Sequence, residues 1–193
     1  MYPKARIDAL TDGIYAVAMT LLVLDIRLPE DFRPQDDAEL IKGLMDLAPR
    51  LFPYAISFMV LGGRWLANVG DRGESGPVPR RYTKWWLINL LLVTCFPFTT
   101  VVMGRYPHSA PAIWLYSGTM LLMAAISFRM MLLMPGTHSE PVMRERRIEF
   151  AGLVTASAMA IVWSIWSPQQ ALLWYLTILV FRRASNLVLK KPA

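Results

Sequence analysis

Hydrophobic positions in this chain gather into long uninterrupted runs, and the charges fall between them. Residues 85–104 (WWLINLLLVTCFPFTTVVMG) hold no charge, and one arginine separates them from a second uncharged run, residues 106–128 (YPHSAPAIWLYSGTMLLMAAISF). A helix rising about 1.5 Å per residue needs about 20 apolar residues to cross a hydrocarbon core of roughly 30 Å, so each run is long enough for a span. FAGLVTASAMAIVWSIW and ALLWYLTILVF flank Ser167-Pro168-Gln169-Gln170, a turn signal inside a stretch too long for one helix. LFPYAISFMVLGG extends backwards through ELIKGLMDLAP as an amphipathic approach. The pattern predicts six transmembrane helices, near residues 7–28, 38–69, 83–104, 111–134, 147–166 and 169–188. Loops are expected at 70–79 and 135–141, where Gly, Pro, Ser and charges collect. The expected fold class is an all-α membrane protein, one domain over residues 1–193, without an internal repeat.

Composition agrees. Hydrophobic residues make up 55% and charged residues 18% of the chain, against about 45–50% and roughly 25% in soluble domains. The single cysteine, Cys95, lies inside an apolar run, which excludes a disulfide framework within the chain. The opening MYPKARIDAL lacks the apolar stretch and cleavage site of a secretory signal, so the first helix is expected to be retained. The net charge of +6 is spread over the flanks of apolar runs, with no zinc-finger, helix-turn-helix or RNA-binding pattern, which argues against nucleic acid.

Six spans would put both termini on one side together with the 2–3 and 4–5 loops. Fifteen of the twenty Lys and Arg residues then fall on that side; Arg27, Arg33, Lys42, Arg50 and Arg105 fall on the other, while the acids divide evenly. By the positive-inside rule both termini are expected in the cytoplasm, in a multi-pass protein of a bacterial inner or plasma membrane.

The first helix does not fit this scheme easily. Its uncharged core covers only residues 13–24, closed by Asp12 and Asp25, with Arg6 further back. Charges at membrane depth face a bundle interior or water, because a lipid-facing charge at the helix centre costs at least about 2.5–3.5 kcal/mol. Gly13, Val17, Thr20, Leu24 and Leu28 recur three and four apart and share one helix face, with Leu21 beside them. Taken alone, such a stripe more often means packing, and a membrane-helix Thr often bonds the carbonyl four residues back.

Arg6-Ile-Asp-Ala-Leu10-Thr11-Asp12 resembles the Arg-x-x-x-Phe-Ser-Asp signature opening the first helix of the transmembrane protein 175 family of potassium channels, and the following GIYAVAMTLLVLDI resembles the rest of that helix. Leu10 and Thr11 replace Phe and Ser conservatively. A Trp-x-x-His-His sequence commonly ends the family's second helix; here Trp65 is kept and Asn68 stands for the first histidine, removing a group that titrates near neutral pH. The resemblance implies a homotetramer in which the first helix of each subunit lines the pore. It implies hydrophobic constrictions at Val17 and Leu24 and a polar ring at Thr20 associated with potassium preference. Gly13, Leu21 and Leu28 are additional pore-facing candidates. Arg6, Leu10, Thr11, Asp12, Trp65 and Asn68 would form a network at the inner end, and Asp25 would stand at the outer mouth.

The function expected is a leak-type potassium channel that needs no cofactor and has potassium ions, the lipid bilayer and further copies of itself as partners. It has no Thr-Val-Gly-Tyr-Gly filter loop. An enzyme is disfavoured: Asp12 and Asp25 are about 20 Å apart along a helix, and His108 and His138 lack metal-site spacing. A secondary transporter is the main alternative, since Pro53 and Pro97 would suit helices broken at a binding site. Acidic residues within 30–39 either draw cations to the outer mouth or, at Asp36-Asp37, start the second helix.

Overall fold

The computed structural model describes residues 3–70, 79–133 and 140–178, and these are almost entirely helical. Helix α1 (Lys4–Leu21) tightens into a 3-10 turn (Leu22–Asp25); α2 (Asp37–Met45) and α3 (Ala48–Gly70) follow, then α4 (Arg80–Arg105), α5 (Ala110–Leu132), α6 (Glu140–Trp163) and the short α7 (Pro168–Ala171), which leads into a second 3-10 turn (Leu172–Leu176).

Several boundaries differ from the sequence pattern: the helix expected from 147 begins at Glu140, the one expected from 169 passes into a 3-10 turn at Leu172, and two others differ for visible reasons. The helix expected over 38–69 is two helices bent by 44°. Pro49 has no N–H to offer the Met45 carbonyl, so α2 ends there and α3 starts afresh with Pro49 in its first turn. The first helix ends at Asp25 rather than 28; Pro29 disfavours helical backbone at Leu28, which lies in a non-helical segment and leaves the helical stripe. Asp36 caps α2, its side chain accepting the Glu39 N–H at 2.8 Å, so the acidic pair does start that helix. Pro53 and Pro97 lie inside helices that continue through them, so neither of these prolines breaks its helix. Of the helix expected over 169–188, the residues beyond 178 lie outside the described part, as do most of both expected loops.

Helix α4 forms the centre, packing on α1, α3 and α5, with α6 beyond α5. Its buried positions Trp86, Leu90, Val93, Phe96, Thr100 and Met103 follow the helical period. Small residues let α6 approach closely: Gly152, Ala156, Ala160 and Ser164 are buried at four-residue spacing. Several polar atoms in this interior find partners across helices, although the Tyr15 hydroxyl and Arg64 Nε have no hydrogen-bond partner among the described residues. Ser57 on α3 bonds Thr100 on α4 at 2.8 Å and the Tyr116 hydroxyl on α5 at 2.9 Å, while Tyr175 donates to Ser117 at 2.8 Å. Among the described residues three helices are long and apolar enough to cross a membrane, Lys4–Asp25 (with its 3-10 turn), Arg80–Arg105 and Ala110–Leu132, or four if the bent α2–α3 pair counts as one. At one end of the bundle Trp114 donates to Ser164, and Trp163 and Trp166 are exposed beside them, as in the aromatic belt of a membrane interface.

Candidate pore-facing helix

Helix α1 has one bound face and one open face. Ile7, Thr11, Tyr15, Ala18, Leu22 and Asp25 are buried, spaced three and four apart, against α3 and α4. Leu10, Gly13, Val17, Thr20, Leu21 and Leu24 are exposed along the other side, Val17 by 57% and Leu24 by 64%. Packing inside the chain's own core therefore does not account for the stripe that the sequence singles out. A shallow apolar groove of about 340 Å³ runs beside it, between residues 9–21 of α1 and Thr94 on α4. Thr20 bends its hydroxyl back, donating to the Val17 carbonyl at 2.8 Å with Ala16 at 3.1 Å. Its proton is thus occupied by its own helix, and the oxygen lone pairs remain to accept or to coordinate.

The signature residues lie on the bound side and reach different neighbours. Thr11 donates to the Ile7 carbonyl at 2.8 Å and accepts the indole N–H of Trp86 on α4, also at 2.8 Å. One residue on, Asp12 accepts the indole N–H of Trp65 on α3 at 2.8 Å. Asn68 is half-buried, three residues further along α3, while Arg6 and Leu10 are exposed. At the far end of α1, Asp25 is only 9% exposed, and its carboxylate accepts from Arg105 at 2.6 and 2.9 Å. The carboxylate read from the sequence as an outer-mouth charge is thus held in an ion pair and has little field left for a passing cation. These contacts fix the directions of the helices. Residues 12 and 25 meet 65 and 50 on α3, which is antiparallel to α1; residues 11 and 25 meet 86 and 105 on α4, which is parallel.

Sequence reasoning passed over a second polar centre. The guanidinium of Arg64 donates from Nη2 to Asn89 Oδ1 at 3.0 Å, to the Met123 carbonyl at 3.1 Å and to the Ser127 hydroxyl, joining α3, α4 and α5. The signal was Asn89, a polar residue placed on the buried stripe of α4. Among the described residues no group of three or more His, Cys, Asp or Glu is placed to hold a metal ion.

Comparison with known proteins shows which proteins the chain is similar to. Residues 6–97, just under half of the chain, match the family model described as the endosomal/lysosomal potassium channel TMEM175. The chain is 29% identical to a potassium channel of Chamaesiphon minutus, over 65% of this chain and 63% of that one. It is 31% identical to a potassium channel of Streptomyces collinus, over 64% of this chain and 61% of the other, so a little over three fifths of each relative is matched. A 70-residue stretch is 36% identical to the human endosomal/lysosomal proton channel TMEM175, covering 34% of this chain and 14% of that protein. The fold is similar to the crystal structure of a lysosomal potassium-selective channel TMEM175 homologue from Chamaesiphon minutus, with a TM-score of 0.74 at 24% identity over 94% of this chain and 97% of that one.

Proposed function

We propose that the chain, whose residues 6–97 match the TMEM175 family model, is a potassium channel of that family, leak-type and homotetrameric, with α1 of each subunit facing the pore. What supports this reading most is the open face of α1. A helix anchored on one side and left bare on the other, with one hydroxyl between apolar side chains, suits copies gathered about a common axis. One helix face cannot enclose a path by itself, so the reading requires an oligomer; four copies is what the family resemblance implies.

In this arrangement Val17 and Leu24 form apolar rings and Thr20 a ring of oxygens between them. A cation passing an apolar ring sheds water or waits for the ring to open, and potassium sheds water more readily than sodium. Thr20 contributes acceptors, because its proton is already given to Val17. Gly13 and Leu21 lie on the same face. Arg6, Leu10, Thr11, Asp12, Trp65 and Asn68 belong to the end at which α1 is tied to its neighbours. The remaining spans complete a six-helix domain with both termini cytoplasmic, in a bacterial cell membrane. No helix predicted from the sequence carries regularly spaced arginines, which disfavours voltage gating and supports the leak-type reading. No cofactor enters the mechanism.

Bilayer recordings on the purified protein, with potassium and sodium in asymmetric solutions, test the proposal. Unitary currents with a reversal potential favouring potassium are expected. Thr20→Val should lower that preference while leaving assembly intact, and Val17→Ala should raise flux. Saturable, counter-ion-coupled uptake without unitary currents would overturn the channel reading.

A further inference from the structure

We infer that the Asp25–Arg105 ion pair is a positioning element that sets where Leu24 stands; its consequence for ion flow rests on the channel reading above. Helix α1 is regular to Leu21 and becomes 3-10 from Leu22 to Asp25. Residues 22–25 are Leu-Val-Leu-Asp, without a Gly or Pro inside the turn; Pro29 accounts for the helix ending beyond it, and the contacts that hold the turn itself come from neighbouring helices. Arg105, the last residue of α4, clamps the Asp25 carboxylate through Nε at 2.9 Å and Nη2 at 2.6 Å. Arg50, near the start of α3, reaches the Asp25 backbone carbonyl at 3.4 Å. Two helices thus grip one nearly buried residue by its side chain and its main chain, while its neighbour Leu24 stays open.

A 3-10 turn advances about 2.0 Å and 120° per residue, against about 1.5 Å and 100° in an α-helix. Over the four residues the grip draws the end of α1 outward by about 2 Å. By Leu24 it has turned the side chain roughly 60° from its place on a continuous α-helix. That offset decides how Leu24 stands relative to Val17 and Thr20. Without the pair, the segment is free to take the α-helical bonds of the preceding turns, and Leu24 turns back while Thr20 keeps its place.

Thiol accessibility tests this. In a Cys95→Ser background, Leu24→Cys and, separately, Thr20→Cys are reconstituted into vesicles and reacted with a charged methanethiosulfonate present on both sides. Asp25→Asn and Arg105→Gln should each change the reaction rate at position 24 by about threefold or more, and the double variant no further than either single one. Arg105→Lys, which keeps the charge but loses the fork, tests the same point with less disturbance. Exchanging the pair, Asp25→Arg with Arg105→Asp, should return the rate toward the parent value. Rates at position 20 should not move. An unchanged rate at 24, or equal changes at 20 and 24, would overturn the inference, the latter because it marks a general loosening. Potassium flux through the parent protein is measured in the same vesicles; its absence would count against the channel reading and leave the thiol rates to decide the pair's role.

Discussion

Breaking the two indole bonds at the signature should weaken the anchorage of α1 by unequal amounts that can be worked out in advance. Trp86 donates to Thr11 and Trp65 donates to Asp12, each at 2.8 Å, each from a different helix and each more than fifty residues away in the chain. Hydrogen bonds between membrane helices average about 0.6 kcal/mol in double-mutant cycles and reach about 1.7 kcal/mol. The Thr11 bond is neutral and Thr11 keeps a second partner, the Ile7 carbonyl, so its coupling should lie near the average, about 0.6 kcal/mol or nearly threefold in an equilibrium constant. The Asp12 bond ends on a carboxylate, and charge-assisted bonds are roughly twice as strong, which places it at about 1–1.5 kcal/mol. Thr11→Val with Trp86→Phe, and Asp12→Ala with Trp65→Phe, complete the two cycles. Single variants will cost more than the couplings, since Trp→Phe also removes buried ring area and Asp12 interacts beyond Trp65. Unfolding of the micelle-bound protein by increasing sodium dodecyl sulfate, followed by helical circular dichroism, gives each corner. Couplings indistinguishable from zero, or a Thr11 coupling larger than that of Asp12, would refute the view that the signature holds α1 to α3 and α4 through these bonds.

Two glycines should respond oppositely. A Cβ on Gly13 meets nothing within 4 Å, so Gly13→Ala should leave protomer stability equal or raised by up to about 1 kcal/mol, yet lower potassium flux because the added methyl stands on the open face. A Cβ on Gly43 would come within 2.5 Å of the Phe32 ring, and Gly43→Ala should cost about 1–3 kcal/mol in the same detergent titration unless the ring swings aside. Arg64→Met strips the donor from Asn89, the Met123 carbonyl and Ser127; leaving the buried Asn89 side-chain oxygen bare should cost about 1–3 kcal/mol, and unfolding at the parent midpoint would show that water replaces the guanidinium.

The stripe on α1 was legible in the sequence because helical spacing is a local property, and Gly13, Val17, Thr20, Leu21 and Leu24 do share one face. What periodicity does not contain is the identity of the surface opposite that face. Only the packed chain excludes its own core, by burying Ile7, Thr11, Tyr15, Ala18 and Leu22 instead. Local stereochemistry also misled at two places where a proline acts on residues before it. Pro49 ends α2 at Met45, and Pro29 keeps Leu28 out of the helix. Partners remote in the chain were hidden for a different reason. Nothing in residues 22–28 announces that an arginine eighty positions later will claim Asp25, nor does Gly-Gly-Arg64-Trp announce that three oxygens on α4 and α5 await the guanidinium.

The same contacts explain how a helix with only twelve uncharged residues is tolerated in so apolar a chain. The two carboxylates that bound its uncharged core, Asp12 and Asp25, lie about 20 Å apart along the axis, and neither faces the open side. Asp12 is satisfied by an indole N–H from α3, and Asp25 by a guanidinium from α4. Each partner supplies a donor suited to a carboxylate, so neither charge is presented bare to hydrocarbon. The length rule for a span applies to a helix surrounded by lipid, whereas α1 has a protein face that carries the two carboxylates bounding its uncharged core. Removing either donor should therefore matter more than lengthening the apolar run. Extending α1 with further leucines leaves an unpaired carboxylate where it was, while Trp65 and Arg105 are what make the short helix compatible with its depth.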